Sequence, residues 1–285
     1  MRFLCLHGAG TNSLVLETQT AALRYEMDHH HTFDFVEGTI PVPIAPEIKA
    51  YYPETDSYFN YFDWSPGTMR RALDQLESFI ALEGPYDGVI GYSHGGALAA
   101  TFLIKHSRLH PGAPPPFKCA IFLSGGIPMD PDALEKDEVR PLDGARDGAL
   151  LTLPTANIWG RNDQLWPGTS EVLSGLCEEG ARSVFVHDEG HDVPSARAKD
   201  AVLAHHLKPY FPFEPPFISI RDSCPVMTAV GLNSGTRESN QNHQPQSTQR
   251  ALLQRPPTSF YQVTNGVVDI RMPRPLWHRM SQENR

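Results

Sequence analysis

Six short apolar runs, at residues 2–6, 32–36, 88–91, 119–123, 155–159 and 183–187, recur along the first two thirds of this chain. Helical patterns stand between most of them, at 14–27, 67–82, 97–105 and 170–177, and a further helix is expected over 195–207. A continuous apolar strand buried on both faces, followed by an amphipathic helix, is the pattern of a parallel sheet with helices on both sides. The chain is therefore expected to be an α/β protein. Few other folds accept strands of this kind, because each must be covered twice.

The third run opens the most informative motif. Residues 88–91 lead into Gly91-Tyr92-Ser93-His94-Gly95, a G-x-S-x-G sequence, and a small-residue helix with Ala97, Ala99 and Ala100 follows. A serine on so sharp a strand-to-helix turn sits in a strained conformation, and its neighbours at ±2 must be small. The turn lifts the hydroxyl out of the sheet and presents the backbone N–H of His94 to a developing oxyanion. Serine needs a base to act as a nucleophile. Of the 13 histidines, His191 follows the last run, in Gly190-His191-Asp192-Val193-Pro194, where the order Ser…Asp…His places it. His187 ends the strand and is expected to face the core or its edge. Asp163 follows the fifth run and lies between the two in sequence. Asp130 is its main rival, and Asp188 and Asp192 are too near His191 to reach its Nδ1 from another loop. The loop His7-Gly8-Ala9-Gly10 after the first strand is expected to give a second oxyanion donor, from the N–H of Ala9 or, as the lesser candidate, Gly10.

Residues 38–66 form a long proline-rich connection with an aromatic stretch from Tyr58 to Trp64. Such a segment in a compact domain is usually functional, and Tyr58, Tyr61 and Trp64 are expected to wall a pocket for an apolar acyl chain. Residues 128–150 are polar and acidic and read as a surface insertion.

Several classes are excluded. A net charge of −9 repels phosphate backbones, so nucleic acid is not an expected partner. No apolar run approaches the ~18–20 residues that span a bilayer. The first residues read as a core strand rather than a secretion signal. Cys5, Cys119, Cys177 and Cys224 show no paired spacing and are expected to be reduced, in a cytoplasmic protein. His29-His30-His31 lacks a completing carboxylate or thiolate and reads as a solvated loop, so no metal and no cofactor is expected. The composition changes after Pro212. Residues 1–211 are expected to form the catalytic domain, and 212–285 a polar, largely disordered extension with one hairpin signal at Asn265-Gly266.

Leu4-Cys5-Leu6-His7-Gly8, the elbow through Gly96, Ile158-Trp159-Gly160 leading to Asp163, and the Gly190–Pro194 segment together resemble the fungal serine hydrolase family, which includes thioesterases and esterases of fungal polyketide clusters. The resemblance covers about residues 1–211 and does not extend to the tail. It implies an α/β-hydrolase fold without a large cap, a triad of Ser93, Asp163 and His191, and action on esters or acyl thioesters. The substrate would be an acyl or polyketide chain, which an acyl-carrier protein could present. Two alternatives remain open from the residues: an acyltransferase using the same triad, and a hydrolase-fold binding protein.

Overall fold

The computed structural model describes residues 1–27, 30–194, 261–264 and 267–270. The chain divides into two compact units, Met1–Phe213 and Glu214–Arg285. The expected helix over 195–207, Cys224, and most of the expected disordered extension lie outside the described residues. In the second unit, Tyr261–Thr264 pairs antiparallel with Val267–Ile270, Thr264 opposite Val267. This leaves two residues for the connection, the length expected of a hairpin at Asn265-Gly266.

In the first unit, six strands form one sheet: β1 (Arg2–Leu6), β2 (Thr32–Val36), β5 (Gly88–Tyr92), β6 (Cys119–Leu123), β7 (Thr155–Gly160) and β8 (Arg182–His187). Their order is β2-β1-β5-β6-β7-β8, and every neighbouring pair is parallel. The chain winds outward from β1 to β2 and then returns to the other side of β1. The C-terminal ends of β1 and β5 therefore flank the switch point, where parallel sheets open a crevice. Alternate side chains serve opposite faces. Leu4 and Leu6 of β1 join a cluster with Leu73, Leu76, Leu98 and Leu103 from α3 (Pro66–Glu83) and α4 (His94–Leu109). Phe3 and Cys5 pack on the other face against Leu16, Leu23 and Met27. Cys5, Cys119 and Cys177 are buried free thiols.

The expected helix over 14–27 is two, α1 (Ser13–Gln19) and α2 (Ala21–Glu26). The break falls at Thr20, whose hydroxyl donates back to the Leu16 carbonyl at 2.7 Å. Such back-bonding bends a helix, yet Leu16, Leu23 and Met27 still share the buried face. The long connection 38–66 contains a small antiparallel pair, β3 (Ile40–Val42) with β4 (Tyr58–Asn60).

The reading of 128–150 as a surface insertion is corrected by the structure. Leu134 and Leu142 are wholly buried, and Met129 and Ala133 nearly so. They lie on or beside the short α5 (Pro131–Leu134), which packs on α3 and α4. The acidic composition concealed this because its charge is neutralised from elsewhere. Asp130 accepts from Arg108 of α4, from Arg140 Nε at 2.8 Å, and from its own Asp132 N–H at 3.1 Å as a helix cap. Burial alone would raise the Asp130 carboxyl pKa, but the two arginines hold it below its ordinary value.

The first residue of α4 is His94, which is fully buried. Its ring centroid lies 3.9 Å from that of Phe62, 5.6 Å from Trp64 and 5.9 Å from Tyr61. Neither ring nitrogen has a hydrogen-bond partner among the described residues. Desolvation, with a smaller contribution from His7, pushes its pKa down to about 3. The aromatic stretch thus clamps the side chain that follows the elbow serine.

Two outcomes are expected. Asp130→Ala removes one carboxylate partner from each of Arg108 and Arg140, which keep Asp132 and Asp147, and leaves a helix uncapped; it should cost about 1–3 kcal/mol in urea denaturation. For His94, the unfolded chain binds a proton below its ordinary pKa near 6.5, while the folded chain resists it down to about 3. Stability is therefore lost as pH falls through that window. His94 contributes about 2 kcal/mol of loss between pH 7 and pH 5. His94→Phe should remove that share, seen as a smaller shift of the denaturation midpoint between the two pH values.

Candidate active site

Gly91 and Gly95 explain how the chain can turn at Ser93. A Cβ on Gly91 would lie 2.6 Å from the Gly96 Cα, and one on Gly95 would run into the Leu6 carbonyl. Without side chains there, the start of α4 packs against the ends of both β5 and β1. Ser93 has φ 50° and ψ −111°, a left-handed backbone that a serine occupies only under constraint. The constraint is visible. Ser93 N donates to Leu123 O at 2.9 Å, Gly126 N donates to Ser93 O at 2.9 Å, and Gly95 N donates to His7 O at 3.0 Å. These bonds tie the elbow to the ends of β6 and β1.

His191 stands in the loop after β8, and Asp163 in the loop after β7. Gly160, which ends β7, would collide with the Glu189 and Gly190 carbonyls if it carried a Cβ, so its lack of a side chain lets the two loops close. His191 Nε2 lies 2.9 Å from Ser93 Oγ, and its Nδ1 lies 2.6 Å from Asp163 Oδ2. The tautomer that serves both contacts carries its proton on Nδ1, donates to the carboxylate and accepts from the serine hydroxyl. Asp163 Oδ1 accepts from the Leu165 and Trp166 N–H groups, both at 3.0 Å. Burial would raise the Asp163 pKa, but hydrogen bonds from His191, Trp166 and Leu165 outweigh it and hold the carboxyl below its ordinary value. The acid thus stays ionised when the imidazole gains a proton, which is what an orienting carboxylate requires.

The rivals are elsewhere. Asp130 is bound to Arg108 and Arg140. Asp188 pairs with Arg161, and Asp192 is exposed. His187 is buried, as expected for the end of a strand, and accepts from the Glu189 N–H at 3.3 Å.

The loop after β1 passes beside the nucleophile. A Cβ on Gly8 would lie 3.6 Å from the Ser93 Cβ. Of the two candidate donors, Gly10 N is occupied, by Phe59 O at 3.2 Å and Asn60 Oδ1 at 2.8 Å. Among the described residues, neither the Ala9 nor the His94 N–H has an acceptor.

The expected pocket wall has a different occupation. Tyr58 is buried with Val15, Ile44 and Ile48, and its hydroxyl donates to Pro53 O at 2.7 Å. Tyr61 is buried too. Its hydroxyl accepts from the His7 N–H at 2.9 Å and donates to Val36 O at 2.8 Å. Trp64 is half-buried, edge-on to Phe62 and His94. Tyr61 and Trp64 thus pack beside His94, next to the nucleophile, while Tyr58 belongs to a separate cluster.

The sequence reading missed three supports: His7, Thr11 and Tyr92. The Tyr92 hydroxyl donates to the His191 carbonyl at 2.7 Å, joining the elbow to the histidine loop. Its place beside the serine in the G-x-S-x-G motif was the available signal. His7 had the signal of a histidine at a strand end before a glycine.

A family model described as Serine hydrolase (FSH1) matches residues 1–202. The chain is 41% identical over 199 residues to Esterase FPY3 of Fusarium mangiferae, covering 68% of this chain and 88% of that protein. It is 30% identical over 195 residues to Hydrolase phiM of a fungal species, covering 68% and 86%. With Probable esterase tazC of Aspergillus terreus it shares 31% identity over 241 residues, covering 72% and 90%. Among solved structures, Arabidopsis thaliana SOBER1 aligns with a TM-score of 0.47 at 14% identity, covering 72% of this chain and 96% of that one. The chain is a hydrolytic enzyme built on a parallel six-stranded α/β sheet, and it belongs to the serine hydrolase (FSH1) family.

Proposed function

We propose that the chain hydrolyses carboxylic esters or acyl thioesters through an acyl-enzyme on Ser93. The observation that carries this reading is the unbroken hydrogen-bond line from Asp163 Oδ2 through His191 to Ser93 Oγ. Ser93 Oγ forms a bond to the substrate carbonyl carbon as its proton passes to His191 Nε2. Asp163 stabilises the resulting imidazolium. The carbonyl oxygen becomes an oxyanion, for which the unoccupied Ala9 and His94 N–H groups are the donors, aided by the N-terminal dipole of the 16-residue α4. Collapse breaks the bond to the leaving alkoxide or thiolate, which takes the proton from His191. Water then repeats the sequence, with His191 as base, and releases the acid and free Ser93.

Relatives named as esterases in Fusarium and Aspergillus support an ester. The resemblance to esterases and thioesterases of fungal polyketide clusters would make the acyl group of polyketide type and place the enzyme in secondary metabolism. A carrier-protein thioester is the other form such a chain takes. No helix among the described residues is long and apolar enough to cross a membrane. With the three described cysteines reduced, the proposed compartment is the cytoplasm.

Ser93→Ala should abolish hydrolysis of short p-nitrophenyl esters and labelling by a fluorophosphonate probe, with the fold intact by circular dichroism. Retained turnover would refute the assignment. Asp163→Asn should keep the ester KM within a few-fold while kcat falls about 10⁴-fold, because the asparagine favours the wrong imidazole tautomer. A loss under tenfold would move the acid elsewhere.

A further inference from the structure

The proposed oxyanion donor Ala9 N–H belongs to the same peptide unit as the Gly8 carbonyl. A trans peptide is planar, with its C=O and N–H on opposite sides. Whatever captures the Gly8 oxygen therefore sets the direction of the Ala9 N–H. Two buried side chains capture it. His7 Nδ1 lies 2.7 Å from Gly8 O, and Thr11 Oγ1 donates to the same oxygen at 2.7 Å. The two donors are themselves 3.2 Å apart, on one side of the peptide. Both contacts fall on the one carbonyl oxygen.

His7 is in turn fixed at its far end. Its Nε2 accepts from the Gly38 N–H at 2.9 Å, at the end of β2. Glu37 Oε1 also lies 3.0 Å from Nε2. The Gly8 carbonyl can only accept, so Nδ1 carries a proton and donates to it. The ring lies against Tyr61, centroids 4.6 Å apart, and has no exposed surface. The next peptide is pinned by Gly10 N to Asn60 Oδ1 and Phe59 O. The loop is thus pinned on both sides of the Gly8–Ala9 peptide, through His7 O, Gly10 N and Gly10 O, and among the described residues the Ala9 N–H has no acceptor.

We infer that His7 and Thr11 are positioning residues for the oxyanion site: by gripping the Gly8 carbonyl from behind, they hold the Ala9 N–H toward the reacting carbonyl oxygen. Neither side chain touches substrate. The role rests on the triad reading above, since it presumes an oxyanion at Ser93. It also differs from general support of the fold. A donor aimed only at the tetrahedral state lowers the barrier without tightening substrate binding, so its misdirection falls on kcat.

The test is Thr11→Val, nearly isosteric and unable to donate, beside Thr11→Ser, which keeps the hydroxyl. Rates are normalised to sites titrated with a fluorophosphonate. Thr11→Val should lower kcat on p-nitrophenyl acetate about 10–100-fold, less than the roughly 10²–10³-fold of deleting an oxyanion donor outright. KM should change less than twofold. Affinity for a trifluoromethyl ketone, which forms an oxyanion on the serine, should fall in parallel with kcat, and Thr11→Ser should restore both to within threefold. His7→Gln, whose amide can still donate, serves as a second variant if Thr11→Val does not fold, with about a tenfold loss of kcat expected. A kcat within twofold of the parent in the folded variant, or a loss confined to KM, would overturn the inference. Hydrolysis that survives Ser93→Ala would instead sink the triad reading itself, so the two failures are distinguishable.

Discussion

The structure turns on the backbone bend at Ser93. A residue with a side chain is held there in a left-handed conformation, and three hydrogen bonds to the ends of β6 and β1 hold the elbow in place. That bend is affordable only because the flanking glycines allow α4 to press against β1 and β5. Everything else in the site is arranged around the fixed hydroxyl. The parallel sheet sends its loops out at the same end, so the loops after β7 and β8 bring Asp163 and His191 to Ser93 at the end of β5. Charge is handled with equal economy: the buried acid is kept ionised by hydrogen bonds from His191 and two backbone N–H groups.

Much of this was legible in the sequence because it depends on local pattern. The six strands fall close to where continuous apolar runs place them, and α3 has the expected apolar face. Ser93, Asp163 and His191 could be singled out because each follows its own strand, and the fold brings the three within hydrogen-bond distance of one another. What was not legible depends on partners distant in the chain. Asp130 looks like any acidic loop residue until Arg108 and Arg140 arrive beside it. Leu134 and Leu142 are isolated among polar neighbours and give no periodic signal, yet both are completely buried. Tyr58 belongs to a three-residue strand, too short to show alternation, and faces a satellite cluster instead of a binding surface. His7 is the clearest case. Its function as a clasp exists only because β2 lies parallel to β1 and brings the Gly38 N–H to its ring.

The aromatic segment 58–64 shows how composition can point to the right place for the wrong reason. Its density of rings marked it as important, and it does adjoin the elbow. Its work is mechanical. Phe62 and Trp64 enclose the imidazole that follows the serine, and Tyr61 links β1 to the end of β2 through one hydroxyl. The cost is a buried histidine ringed by aromatics, with neither nitrogen partnered among the described residues.

The hydrogen bond from Tyr92 to the His191 carbonyl has a further consequence for motion. The histidine loop is the outermost part of the site, carried by the edge strand of the sheet. Its anchor is not that edge but the residue adjoining the nucleophile, near the centre of the molecule. Through this bond serine and histidine share a mount, so a displacement of the edge strand must stretch or break it before the imidazole can part from the nucleophile.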